Sequence, residues 1–142
     1  MSTKVWILVY VGDPMDYSKY RHTSLYVEFD DDAENEGTVF HITGAHGFFK
    51  FEERKQYDPS KSIKLRKKVE VGEISAEVPK LAIRSILAAT KVRNGIDDGD
   101  WNCQNWVGDA LQQLVDQSWL SAELRDNAID QMLDACLEAE DE

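Results

Sequence analysis

Of the two cysteines in 142 residues, Cys103 stands where chemistry is most readily built. From it Trp106, Val107, Ala110, Leu111, Leu114 and Val115 recur at the spacing of a helix with one buried face. Cys103 therefore heads a helix. Asp100 or Asn102 can cap its free N–H groups, and those groups with the helix dipole favour thiolate over thiol, lowering the pKa of a cysteine in the first turn. A histidine that takes the thiol proton would let the sulfur attack a carbonyl, and the thioester so formed passes to water or to another acceptor. His22 is the candidate base, because the start of a strand is an exposed but rigid edge. His41 is the candidate orienting group that fixes the tautomer of His22, and the Cys103 N–H can contribute to an oxyanion hole.

Each of these residues has a plainer use. A cysteine at the inner edge of an amphipathic helix packs, a histidine at a strand end is often a surface residue, and His41 between Phe40 and Ile42 fits a satisfied core position. Trp101 and Trp106 bracket Cys103 and suit either a pocket wall or packing. Asn102 and Gln104 can hold a substrate carbonyl or, for Asn102, cap the helix; Tyr20, just ahead of His22, is a further candidate substrate contact. His46 between Gly44 and Gly47 reads as a loop residue, and Cys136 falls on the apolar stripe of the last helix.

These groups must be positioned by strands in the first half of the chain and helices in the second. Val5–Val11 is a continuous apolar run suited to a strand buried on both faces. In His22–Phe29, Leu25, Val27 and Phe29 alternate with Ser24, Tyr26 and Glu28, the pattern of a half-buried strand, and Thr38–Thr43 is its hairpin return after an acidic turn. His22 opposes His41 only if the turn centres between Asp31 and Asp32. Phe48–Glu52 predicts another strand. Ile63, Leu65, Val69 and Val71 alternate with Lys64, Arg66, Lys68 and Glu70 in one whose outer face is basic. Pro79 starts a helix to about Lys91 with Leu81, Ile83, Ile86, Leu87 and Thr90 inward. Ser121 caps the last helix, with Leu124, Ala128, Ile129, Met132, Leu133, Cys136 and Leu137 on one side. Gly108 costs the Cys103 helix about 1 kcal/mol relative to alanine, which calls for a packing reason.

The length suits one domain, residues 1–142, with a core that needs no staples. A formal charge of -11 argues against nucleic acid and anionic membranes as partners. No apolar run reaches the ~20 residues of a membrane span. Two cysteines without a signal-peptide pattern point to the cytoplasm, and without a Cys-x-x-Cys cluster no metal site is expected.

Three islands, Tyr20-Arg21-His22-Thr23-Ser24-Leu25-Tyr26-Val27, Val39-Phe40-His41-Ile42 and Asn102-Cys103-Gln104-Asn105-Trp106-Val107, resemble in order the motifs of the circularly permuted NlpC-type papain-like superfamily. The likeness is nearest to the lecithin:retinol acyltransferase and HRAS-like suppressor group. The His22-Thr23-Ser24 opening is also similar to the PPPDE deSUMOylating isopeptidases. The resemblance implies an α+β fold, an antiparallel sheet packed on helices in permuted papain-like topology, with Cys103 as nucleophile, His22 as base and His41 as third member. Gln104-Asn105 departs from the Glu-His that follows the cysteine in the acyltransferase group, and the acidic C-terminus replaces that group's membrane anchor. The expected activity is thiol-dependent hydrolysis or transfer of an acyl group on a soluble amide, isopeptide, ester or thioester, small-molecule or peptide, with no cofactor. The alternative is a binding module on the same fold whose acidic surface meets a basic partner.

Overall fold

The computed structural model describes residues 2–12, 16–17 and 21–139. Five strands, β1 (Ser2–Gly12), β2 (Arg21–Glu28), β3 (Gly37–Thr43), β4 (Lys50–Tyr57) and β5 (Leu65–Ser75), form one antiparallel sheet in the order β4-β3-β2-β1-β5. Three helices follow, α1 (Lys80–Ala88), α2 (Cys103–Asp116) and α3 (Ala122–Leu137). This is the α+β architecture expected, with strands and helices segregated along the chain.

The period of two along each strand divides the sheet into two faces. Val5, Ile7 and Val9 of β1, Leu25 and Val27 of β2, and Phe40 and Ile42 of β3 enter the main core, which α2 and α3 close with Trp106, Val107, Leu111, Leu114 and Met132. Leu8, Tyr26 and Val39 form a second small cluster on the other face, sheltered by Trp6, Tyr10, Tyr57 and Leu65. That cluster makes β1 buried on both faces as its composition requires. It also buries Ser24 and Tyr26, so β2 is covered on both faces where alternation alone predicts half-burial.

Five apolar residues lie elsewhere than expected. Ile63 precedes β5 and is exposed, and Leu81 is exposed on the outer side of α1 while Ile83 and Leu87 are buried. On α3 the buried stripe is Ala128, Met132, Ala135 and Cys136, and Leu124, Leu133 and Leu137 stand outside it. A single helix laid on an already filled sheet buries only a narrow face.

The loops that position the site are pinned individually. Gly44, at φ +106, turns the chain out of β3, where any Cβ would stand 2.7 Å from the Phe48 carbonyl. Asn94 then holds the far end of that loop through two hydrogen bonds, accepting from the Phe49 N–H at 2.8 Å and donating to the Phe49 carbonyl at 3.0 Å. A bidentate pair from Arg84 to Glu53, at 2.7 and 2.9 Å, ties α1 to β4.

Candidate active site

Asn102 opens α2. Its side chain accepts from the Gln104 N–H at 2.9 Å, and Asn105 returns the favour by accepting from the Asn102 N–H at 3.0 Å, a reciprocal capping box. Asn102, rather than Asp100, is thus the cap, and Cys103 is the first helical residue. Gln104 donates from its amide to the Arg21 carbonyl at 3.2 Å, fastening the helix start to the head of β2. The Cys103 thiol faces the same carbonyl, with Sγ 3.9 Å from the oxygen. From below, the buried Arg21 guanidinium grips Asp16 at 2.9 and 3.0 Å and donates to the Ala135 carbonyl at 2.7 Å. That grip holds the Asp16 carboxyl down to about 2.

The two histidines meet. His22 Nε2 and His41 Nδ1 are 2.8 Å apart, and His41 Nε2 lies 3.1 Å from the Glu52 carboxylate. The hairpin register differs from the one that would oppose the rings, because Leu25 faces Phe40 and Val27 faces Thr38. Carried along the strands, that is a shift of two positions, which preserves parity and leaves the rings as diagonal neighbours on one face. Glu52 is on the same face because it pairs directly with His41. The tautomers follow from the donors available. His41 Nε2–H donates to Glu52, its Nδ1 accepts from His22 Nε2–H, and the lone pair of His22 is left on Nδ1.

Both rings are held neutral. Burial pulls His22 down to about 4, with the neighbouring His41 adding to the effect. Burial also lowers His41, against the opposing influence of Glu52. For the thiol, the expected lowering by the helix start is overturned. Cys103 is partly buried, and desolvation raises its pKa more than the Thr23 hydroxyl and the N–H groups of Thr23, Cys103 and Gln104 lower it. At neutral pH the pair is thiol and imidazole, not thiolate and imidazolium.

Alternation along β2 explains why, among the described residues, no hydrogen bond joins sulfur and imidazole. Thr23 faces α2 and the sulfur; His22 turns to the other face, where Tyr10 lies 5.9 Å away, centroid to centroid. They meet instead at the end of the sheet. Both line a cavity of about 630 Å³ whose walls are the ends of β1 and β3, the loop from Gly44 to Phe49, and the segment from Gly99 to Asn102.

Among the residues expected to contact substrate, Asn102 lines this cavity. Trp101 does not; its indole N–H donates to Asp109 at 3.2 Å and its ring packs edge-on against Phe49. Trp106 is wholly buried in the core. Gln104 is engaged with Arg21, and Tyr20 lies outside the described residues. His46, read from the sequence as a loop residue, borders the cavity, its ring edge-on to Phe49 at 5.4 Å. Glu52 was invisible as a site residue, since its link to His41 depends on the pairing of β3 with β4. Among the described residues no group of His, Cys, Asp and Glu is arranged to hold a metal ion.

Residues 5–121 match the model of a family of unknown function, DUF6540. No curated protein and no solved structure matches the chain.

Proposed function

The chain belongs to DUF6540, a family of unknown function, and from the site it carries we propose a thiol-dependent hydrolase or acyltransferase that works through a Cys103 thioester. The observation that carries this reading is the cavity shared by Cys103 and His22, with the Glu52–His41–His22 hydrogen-bonded chain behind it. In the free protein the thiol faces the Arg21 carbonyl, so the reaction begins when a bound acyl group draws the sulfur and the ring into the cavity. His22 Nδ1 takes the thiol proton as Sγ forms its bond to the carbonyl carbon. The imidazolium is stabilised through His41 by the Glu52 charge, and the N–H groups at the start of α2 are near enough to the sulfur to oppose a developing oxyanion. His22 then returns the proton to the leaving group, the thioester remains, and water or a second acceptor releases the acyl group by the same steps in reverse.

The papain-like likeness of the three sequence islands supports the same roles. The fitting substrates are soluble amides, isopeptides, esters or thioesters, with amide cleavage ranked slightly above transfer. Among the described residues no helix is long and apolar enough to cross a membrane, and both cysteines are free. We accordingly assign the protein to the cytoplasm, without nucleic acid as a partner given its charge of -11. Profiling acyl substrates with the wild type and Cys103→Ala side by side tests the reading. The wild type should form an acyl adduct on Cys103 detectable by mass spectrometry, with turnover lost in Cys103→Ala and reduced about 100-fold or more in His22→Ala. Turnover unchanged in Cys103→Ala ends it.

One observation favours a second reading, a binding module in which Cys103 merely packs: the sulfur is desolvated and its hydrogen-bond partner is a backbone carbonyl. That reading expects ligand binding that survives Cys103→Ala and no covalent adduct with any acyl donor.

A further inference from the structure

The side of α3 that faces α2 is unfinished. Ile129, Met132, Leu133, Cys136 and Leu137 line a second cavity of about 650 Å³ between the two helices, and Leu133 and Leu137 are left 43% and 65% exposed. From Ile129 to Leu137 the stripe runs two helical turns, about 12 Å. Its opposite wall contains Gly108, the residue for which the sequence demands a packing reason. The structure supplies none. A Cβ there would meet Ile129 Cδ1 at 3.7 Å, ordinary contact, so alanine would fit and the helix would gain from it. What the glycine does is leave the groove floor open.

The rim is acidic. Asp100 and Asp109 line the groove on the α2 side, and Asp130 and Asp134, exposed and each one residue beyond a lining residue of α3, flank its outer edge. Within α2 and α3 six carboxylates face a single cation, Arg125, which is already paired with Asp126 and Gln112. Apolar floor and anionic rim exclude an anionic lipid, and two acidic rims repel each other in a second copy of a chain with charge -11.

We propose that this groove between α2 and α3 docks a basic amphipathic segment of a partner protein, apolar side chains against Ile129, Leu133 and Leu137 over the gap at Gly108, and Lys or Arg against the aspartates. An amphipathic segment laid in an apolar groove is a general mode of recognition, and acid on the rim selects the basic ones. The site is separate from the Cys103 cavity, sharing only Asp100 and Asn102 as a common border.

The test uses a fluorescein-labelled amphipathic peptide built of Leu and Lys, its counterpart with Glu for Lys, and the full chain. Anisotropy should show saturable binding of the Lys peptide that weakens as salt rises, and none of the Glu peptide. Gly108→Leu, which fills the floor without changing charge, should weaken it about tenfold or more, as should Leu133→Ser at the exposed edge. Asp130→Lys with Asp134→Lys should do the same, whereas the equal charge change Asp30→Lys with Glu34→Lys in the β2–β3 turn should not. Cys103→Ala should bind as the wild type, which separates this inference from the catalytic one. The proposal is overturned if the Glu peptide binds as well, if Gly108→Leu and Leu133→Ser, folded by circular dichroism, retain wild-type affinity, if both charge reversals weaken binding alike, or if sedimentation shows the face buried in a homodimer that Leu133→Ser dissolves.

Discussion

The two faces of the sheet handle polar chemistry in opposite ways. On the helix face, the thiol of Cys103 is packed against Thr23 and the Arg21 carbonyl, so desolvation governs it and keeps it protonated. On the other face, Glu52, His41 and His22 form a continuous hydrogen-bonded chain that ends at the strand edge. The thiol and both imidazoles are neutral at pH 7, yet for different reasons: among the described residues the sulfur has no charged partner, whereas the imidazoles have a carboxyl group at the end of their chain and burial still outweighs it. The difference teaches that a thiol and an imidazole need not share a face to share a cavity, provided both stand at the same end of the strands.

The largest expected effect tests the helix face by itself. Trp106 is fully buried against Phe51 and the β2–β3 core, and Trp106→Ala should cost about 3–5 kcal/mol in chemical denaturation. A loss under about 1 kcal/mol would mean that α2 is not seated as described, and Cys103 with it.

Next is the histidine face. The folded value for His22 is about 4 against about 6.5 unfolded. Between those values the unfolded chain binds a proton that the folded one refuses, so stability is full above about pH 6.5 and falls as pH drops toward 4, by up to about 3 kcal/mol. His22→Gln should flatten that slope in denaturation curves recorded across the range. An unchanged slope would place the acid sensitivity elsewhere.

Alkylation sharpens the contrast between the faces. With its thiol raised, Cys103 should react with iodoacetamide more slowly at pH 7 than a free cysteine, and catch up only in alkali. Because no hydrogen bond joins the sulfur to an imidazole among the described residues, His22→Ala should leave that profile unmoved in the free protein. A fast, His22-dependent reaction near neutral pH would show instead that the two groups meet before substrate arrives. The smallest effect concerns the cap: Asn102→Ala should destabilise by about 1 kcal/mol, measured by thermal melting, and leave the His22–His41 contact intact.

Much of the local structure was legible in the chain. The Asn102-Cys103 helix start, the strands around His22 and His41 and the capping serine at 121 follow from periodicity and side-chain chemistry, and the structure has all of them. Legibility failed where a second element decides. Leu133 and Leu137 sit on the predicted apolar side of α3, but how much of that side is covered depends on how α2 lies beside it. Glu52 looks like any outward residue of β4 until the register of β3 on β4 sets it opposite His41. Trp101 and Gln104 flank the cysteine in sequence, and one finds Asp109 while the other finds Arg21.

What the residues determined unaided was the sorting: sheet first, helices after, a cysteine at a helix start and two histidines on adjoining strands. Those features are local, fixed by alternation, helical spacing and capping over a few residues. The protonation states and the faces were decided only by packing. A pKa answers to the solvent excluded around a group, and a strand's alternate residues answer to which side the helices cover; both are properties of atoms brought together from distant parts of the chain.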